Sequence, residues 1–411
     1  MTSCRPFRIY RLQPVAFLTV DKYRQLLRLP GAPQFVMAGF IGRLPIATVS
    51  LGILLLVTSY GESYAVAGGL AATFALASAF ISPLGLRWVD RTGQHRAVPW
   101  LVLAEASGLI LLTLSVADGW SLPIQFALAA VSGATAPHVG SLVRARWADK
   151  LSGQSQLSSA FALEAVVDEL VFIVGPPLVT VLALQIGEVF AMFVIVLLLV
   201  SGSLWLVSQR ATQPDPRPRV DKKKPERMWS TTLVLILLLL LLLGGVFGSF
   251  EVTTVAYAKF LGVAGLTGIL LALYAVGSLI SGLLVGARSP VASWRTQLIT
   301  AAAALATVGI PLVFIDNVWL LASLSLLAGT TVAPILIATT SLVERAVPSS
   351  RLTEALGLSI SGLAVGIAFG TTLSGALVDA ISANAGYWLM AGCGIGLLVA
   401  TLLGMRQLDI R

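Results

Sequence analysis

Apolar residues fall in twelve long blocks along this 411-residue chain: near 33–60, 64–86, 98–117, 121–146, 156–184, 187–208, 230–257, 262–286, 296–315, 318–344, 352–380 and 385–406. Short polar breaks, or breaks carrying Gly and Pro, separate them. At about 1.5 Å per residue, such blocks cross roughly 30 Å of hydrocarbon, where a helix satisfies its own backbone. From Leu233 to Leu243 every residue is apolar, and a helix apolar all round belongs in lipid. The pattern predicts twelve membrane-spanning helices, an all-α integral membrane protein with no soluble domain between the spans.

Composition agrees. Hydrophobic residues make up 57% of the chain and charged residues 11%, whereas soluble domains carry about a quarter charged. Charge then orients the spans. All but Arg43 and Lys259 of the 27 Lys and Arg fall in the N-terminal tail, the even-to-odd loops, the central loop or the C-terminal tail. Positive loops stay inside, so both termini are expected in the cytoplasm of a multi-pass protein of the cell inner or plasma membrane. The net charge of +8 is thus a topology and lipid-surface signal. It is spread over separate loops, which argues against nucleic-acid binding.

Residues 1–32 have five arginines and no apolar core before the first span, so they read as a cytoplasmic tail rather than a cleaved signal. Asp21 to Leu29 could lie on the membrane as a short amphipathic helix or remain a solvated tail. Cys4 and Cys393 are too few and too far apart for a disulfide framework or a metal site. Prolines and charge between Gln209 and Trp229 mark a linker. The expected organisation is a tail (1–32), a six-helix bundle (33–208), a cytoplasmic linker (209–229), a second six-helix bundle (230–406) and a short tail (407–411).

The two halves repeat. Gly39-Phe-Ile-Gly-Arg-Leu-Pro-Ile-Ala-Thr-Val49 aligns without gaps on Gly245-Val-Phe-Gly-Ser-Phe-Glu-Val-Thr-Thr-Val255, with Arg43 opposite Ser249 and Pro45 opposite Glu251. Gln156 to Leu163 aligns on Arg351 to Leu358, and twelve residues on Gly175 falls on Gly370. Ser141-Leu-Val-Arg144 matches Ser341-Leu-Val-Glu344. Three matches in the correct order point to duplication.

Between spans two and three the chain reads Leu86-Arg-Trp-Val-Asp-Arg-Thr-Gly-Gln-His-Arg96. This segment resembles the loop motif Gly-x-Leu-x-Asp-Arg-x-Gly-Arg-Lys/Arg of the major facilitator superfamily (MFS) of transporters. Asp90, Arg91 and Gly93 match and Arg96 closes the run. Leu86, Trp88, Gln94 and His95 depart from the pattern. The resemblance covers spans 33 to 406 and implies the MFS fold: two six-helix bundles related by pseudo-two-fold symmetry around a central cavity. It implies that Asp90 and Arg91 brace a closed cytoplasmic gate, with Asp90 meeting the positive N-terminus of span eleven near Ser350. The second copy, Gly282 to Arg288, has no carboxylate, so this latch is expected on one side only.

Six ionisable residues lie at membrane depth: Arg43, Glu105, Glu164, Asp168, Glu169 and Glu251. Each costs about 2.5–3.5 kcal/mol there even on a lenient scale, so each must face a wet cavity, find a partner or carry a proton. They are the candidates for proton coupling. Glu164 and Asp168, four apart, share a helix face and form the first candidate proton site. The competing reading pairs Asp168 or Glu169 with Arg43. Glu105 has no evident partner, and His138 reads as a packing histidine. Gly175 and Pro176 echo the Gly-Pro kink of the MFS antiporter motif in span five, which favours export, although Val171 replaces an upstream Gly. Span four lacks the arginine near its outer end that marks drug–proton antiporters of the superfamily, Gln125 being the nearest polar residue.

The expected function is a secondary transporter, proton-coupled and exporting small molecules by alternating access. A proton-linked importer of a sugar or organic anion, and a non-transporting scaffold or lipid-handling protein, are the alternatives. No catalytic set, phosphate loop or metal-ligand spacing is present in the sequence, so no enzyme activity, cofactor or metal is expected. The expected partners are a small-molecule substrate, protons and the bilayer, with the protein a monomer.

Overall fold

The computed structural model describes residues 23–152, 156–216, 230–287, 294–348 and 351–408. Twelve helices within them are long and apolar enough to cross a membrane. In order they are α1 (Ala32–Ser59), α2 (Tyr64–Thr92), α3 (Gln94–Ala117), α4 (Leu122–Lys150), α5 (Leu157–Gln185), α6 (Glu188–Ser208), α7 (Thr231–Phe260), α8 (Ala264–Val285), α9 (Trp294–Phe314), α10 (Val318–Ala346), α11 (Glu354–Ala380) and α12 (Gly386–Leu403). No strand occurs among the described residues. Four of these spans contain a break. Helix α2 breaks at Ile81, ahead of Pro83; α4 at 135–138, around Pro137; α9 before Pro311; and α10 at 330–331, ahead of Pro334. Proline lacks the N–H that a helix interior needs.

The charged segment between α2 and α3 is almost entirely helical. Helix α2 continues to Thr92 and α3 begins at Gln94, so Gly93 alone makes the turn, at φ 92°. Hydropathy ends the apolar block at Leu86, but the helix runs on because nothing after that point breaks it before the glycine.

Packing repeats between the halves. Helix α1 packs on α6 as α7 does on α12, α3 on α6 as α9 on α12, α2 on α4 as α8 on α10, and α1 on α5 as α7 on α11. The bundles meet through α2 against α11 and α5 against α8. Small residues permit these approaches. A Cβ on Gly68 of α2 would lie 2.5 Å from the Thr371 carbonyl oxygen of α11, and one on Gly375 would lie 2.3 Å from the Tyr64 carbonyl oxygen. On the second contact, a Cβ on Gly268 of α8 would lie 2.5 Å from the Pro176 carbonyl oxygen of α5.

The two faces of the molecule differ. On the face opposite the linker, the carboxylate of Asp379 at the end of α11 accepts the backbone N–H groups of Tyr64 (3.0 Å) and Ala65 (2.7 Å), capping α2. There a negative charge meets the positive end of a helix. Val252 and Val255 of α7 join the core of the first bundle on the same side. Helix α11 packs on the first segment of α2, Tyr64–Phe80, whereas on the linker face the second, Ser82–Thr92, packs on α3 and has no comparable contact with α11 among the described residues. Asp90 and Arg91 are exposed there and make no ion pair among the described residues. Among the described residues Asp90 makes no ion pair with α11; Ser350, where its contact is expected, lies outside the described residues, as do Arg288 and most of the linker (217–229). The protein is closed on the face opposite the linker and parted on the linker face.

Near the N-terminus, residues 23–27 form a short helix whose Leu26 is buried in the first-bundle core, with Tyr23 and Leu29 packed against it. This segment neither floats on the membrane nor extends into solvent, because three apolar side chains on one side find the bundle first. Asp21, Lys22 and Cys4 lie outside the described residues.

Overpacking a helix contact costs about 1–3 kcal/mol. Gly375→Val puts side-chain atoms against the Tyr64 backbone, so it should part the closed face. A cysteine at buried Thr371 should then react with a membrane-permeant maleimide roughly fivefold or more faster than in the parent. An unchanged rate contradicts this reading of the closed face.

Candidate functional site

The site begins with a conflict between lipid and charge on α1, α4 and α5. Arg43 of α1 is 4% exposed. Its guanidinium donates to Glu164 and, at 3.0 Å, to Asp168, both on α5. Asp168 also accepts from Arg144 of α4. Glu164, wholly buried, takes a further hydrogen bond from Trp147 Nε1 at 2.8 Å, and Phe35 packs edge-to-face on that indole at 4.8 Å. Two guanidiniums thus meet two carboxylates in a cluster with no net charge. The i, i+4 spacing of Glu164 and Asp168 puts both on one helix face, and Arg43 bridges them.

The structure therefore brings Arg43, Glu164 and Asp168 together and adds Arg144, which sequence reasoning missed. Arg144 had been assigned to the basic end of span four as a loop charge. Its signal was the mismatch in the repeat, where Arg144 stands opposite Glu344. The carboxylate pair does not stand alone: Arg43 meets both acids, the pairing with Asp168 that the competing reading expects. Each acid faces a guanidinium, so neither carboxylate is left alone at this depth.

Arg146, two residues on, was also missed and is wholly buried. It donates to Gln94 Oε1 (2.9 Å), the Leu206 and Gln209 carbonyls (2.9 and 3.0 Å) and Thr212 Oγ1 (2.6 Å). With no carboxylate partner among the described residues, it is solvated by the carbonyl end of α6, where the helix dipole is negative. Gln94 in turn donates to the Leu142 carbonyl at 3.1 Å, and His95 is hydrogen-bonded to Gln213. The two residues that depart from the family's basic pair thus tie the α2–α3 turn to α4 and to the start of the linker.

The other candidates lie apart from this cluster. Glu169 accepts from Ser278 Oγ of α8 at 2.9 Å, across the bundle interface. Glu251 of α7 is half-buried and lies beside Ser50 of α1, also between bundles. Gly175 packs on α1, where a Cβ would lie 2.8 Å from Thr48, and the neighbouring Pro176 backs onto Gly268 of α8. Helix α5 runs unbroken through both positions. Gln125 is buried and donates to the Trp120 carbonyl at 3.0 Å.

A cavity of about 270 Å³ opens beside the charge cluster, lined by Arg43, Arg144 and Asp168 together with Phe74, Glu105, His138 and Phe172. His138 has φ 44°, a conformation uncommon outside glycine, and its ring reaches Ser78 Oγ at 3.3 Å. Glu105, at mid-span in α3, is 3% exposed, and its Oε2 has no hydrogen-bond partner among the described residues. The second bundle is built otherwise. In the repeat, Ser249 replaces Arg43, Ser359 replaces Glu164 and Leu363 replaces Asp168. Glycines instead close α7 onto α11, where a Cβ on Gly244 would lie 2.1 Å from the Leu363 carbonyl oxygen. The ionisable lining is therefore confined to one half.

Comparison with known proteins places this geometry. Residues 35–316 and 267–408 match the family profile described as Major Facilitator Superfamily. No curated protein matches the sequence. Among solved structures, the chain is similar to the nucleoside transporter NupG (TM-score 0.68, 14% identity, covering 91% of this chain and 98% of that one). It is also similar to the POT family transporter PepTSo (0.66, 12%, 92% and 98%), and to the human organic anion transporter MFSD10 (0.60, 16%, 95% and 100%). At these identities the likeness is one of fold.

Removing one partner of a buried pair costs about 3–5 kcal/mol, because a charge is left alone. Glu164→Leu should therefore lower thermal stability in detergent markedly. Adding Arg43→Met, which leaves Asp168 with Arg144, should restore most of it. A double variant no more stable than the single one contradicts the assignment of Arg43 to this cluster.

Proposed function

The chain belongs to the Major Facilitator Superfamily, and from that premise we propose that it is a proton-coupled secondary transporter that exports small molecules by alternating access. The observation that carries this reading is the difference between the two faces. The bundles are joined through Asp379, Gly68 and Gly375 on one face and parted on the other, with a polar cavity beside the gap. A body closed at one end around such a cavity is suited to exchange which end is closed.

In this reading the linker face is cytoplasmic, as the basic loops require, so the arrangement described is open to the inside. When that face closes, Asp90 and Arg91 come against the start of α11, while Asp379 releases α2 on the other side. Proton coupling falls to acids without a guanidinium partner, Glu105, Glu169 and Glu251, and the Arg43 cluster serves as a rigid neutral wall. Glu169 and Glu251 lie between the bundles, where a change of protonation acts directly on rocking. Export is supported by the Gly175-Pro176 pair, which sits where α1, α5 and α8 converge. The transporters similar in fold carry nucleosides, organic anions or the substrates of the POT family, and no common substrate class follows from them.

Inside-out membrane vesicles containing the protein, energised to an acidic interior and followed with acridine orange, test the reading. Amines, sugars and carboxylates added one at a time should include at least one that collapses the proton gradient, and vesicles lacking the protein should show none. A gradient indifferent to every class contradicts proton-coupled export.

A further inference from the structure

Beside the Arg43 cluster the cavity contains one carboxylate that nothing on the protein balances. The charges that face it are Arg43 from α1, Arg144 from α4 and Asp168 from α5, with Glu164 closing the cluster behind them, and these four cancel. His138 contributes a ring already held by Ser78. Glu105 from α3 remains, with an acceptor oxygen buried and unpartnered. Leaving such a group unsatisfied in a low-dielectric setting is costly, and more so when it is charged. A bound donor with positive charge removes that cost.

The remaining walls define the rest of the ligand. Phe74 and Phe172 line the same space, and aromatic faces attract both cations and apolar bodies. At about 30 Å³ per water, the cavity has room for roughly nine water-sized groups. Both arginine head groups already donate to acids, Arg43 to Glu164 and Asp168 and Arg144 to Asp168, so an anion here competes with the protein's own carboxylates.

We propose that the first-bundle cavity binds a small primary ammonium compound with an apolar body, its N–H groups donating to Glu105 and its body lying against Phe74 and Phe172. This deepens the transporter reading by naming a substrate class for the same cavity. It also makes Glu105 a specificity-determining residue, and the cluster of Arg43, Arg144, Glu164 and Asp168 the neutral wall that prevents a second ammonium or an anion from competing.

Isothermal titration of the purified full chain in lipid nanodiscs at pH 7 tests it, with phenethylammonium as the probe. 2-Phenylethanol and phenylacetate serve as neutral and anionic relatives of similar size. Phenethylammonium should bind saturably and at least tenfold more tightly than either. Glu105→Gln should weaken it at least tenfold and leave 2-phenylethanol unaffected, whereas Glu105→Asp keeps most of the preference. Phe172→Leu, at an exposed lining position, should weaken the ammonium several-fold, and this variant together with the wild-type ranking decides the matter if Glu105→Gln does not fold. Equal binding of the neutral relative, no saturable binding, or a folded Glu105→Gln that binds as the parent does would overturn the proposal. The outcomes separate from those of the vesicle assay. Glu105-dependent binding without any proton signal removes the transport reading and keeps the site, and a proton signal with ammonium binding indifferent to Glu105 does the reverse.

Discussion

A charge inside the membrane must be cancelled where it stands, and this one constraint organises the first bundle. Arg43 holds α1 to α5 through Glu164 and Asp168, and Arg144 brings in α4. Trp147 and Phe35 seal the inner end of the cluster. Arg146, with no acid to meet, turns to four acceptors at the carbonyl end of α6 and around it. Each of these side chains would be expensive alone at this depth. Together they form a fixed polar frame, against which the unpartnered Glu105 stands out.

The second bundle meets a different constraint. With serines and leucine at the matching positions, it has no counterpart of the Arg43 cluster, and its helices approach until backbone meets backbone at Gly244, Gly366 and Gly370. A duplicated architecture has thus divided its tasks: the first half carries the ionisable cavity and the second is close-packed. The join between the halves also uses helix ends and glycines. Asp379 capping α2 is the counterpart, on the opposite face and from the opposite bundle, of the contact that the family motif implies for Asp90 with α11. The pair is reciprocal because α2 and α11 lie against each other and each acid stands near the C-terminal end of one helix, opposite the N-terminus of the other.

Much of this was legible in the sequence because it follows from hydropathy, which is additive along the chain. Twelve spans, the absence of a soluble domain, the family and the all-helical fold of two bundles could all be read there. Segment ends were less legible. The helix through Asp90 to Thr92 continues past the apolar block because helix continuation needs only the absence of a breaker, and Leu26 is buried by a tertiary contact that no local pattern announces. The site was half legible. The six membrane-depth ionisable residues are legible one by one and the Arg43–Asp168 pair is one of two readings, but the full cluster is not, since Arg144 sits two turns from the linker face among the basic residues of the loops. Arg146 is not legible there, because its partners are two backbone carbonyls, which every sequence has, and the side chains of Gln94 and Thr212, which no local pattern links to it.

The central claim is that two bundles rock about the α2–α11 and α5–α8 contacts, closing one face as the other opens. Pulsed electron–electron spin resonance on the full chain in lipid nanodiscs, with label pairs bridging α2 and α11 at each face, tests it most directly. The account predicts two distance populations per pair, with the short distance on one face accompanying the long distance on the other and pH shifting both together. A single short distance on the face opposite the linker, unmoved by pH or by added ligands, would contradict it.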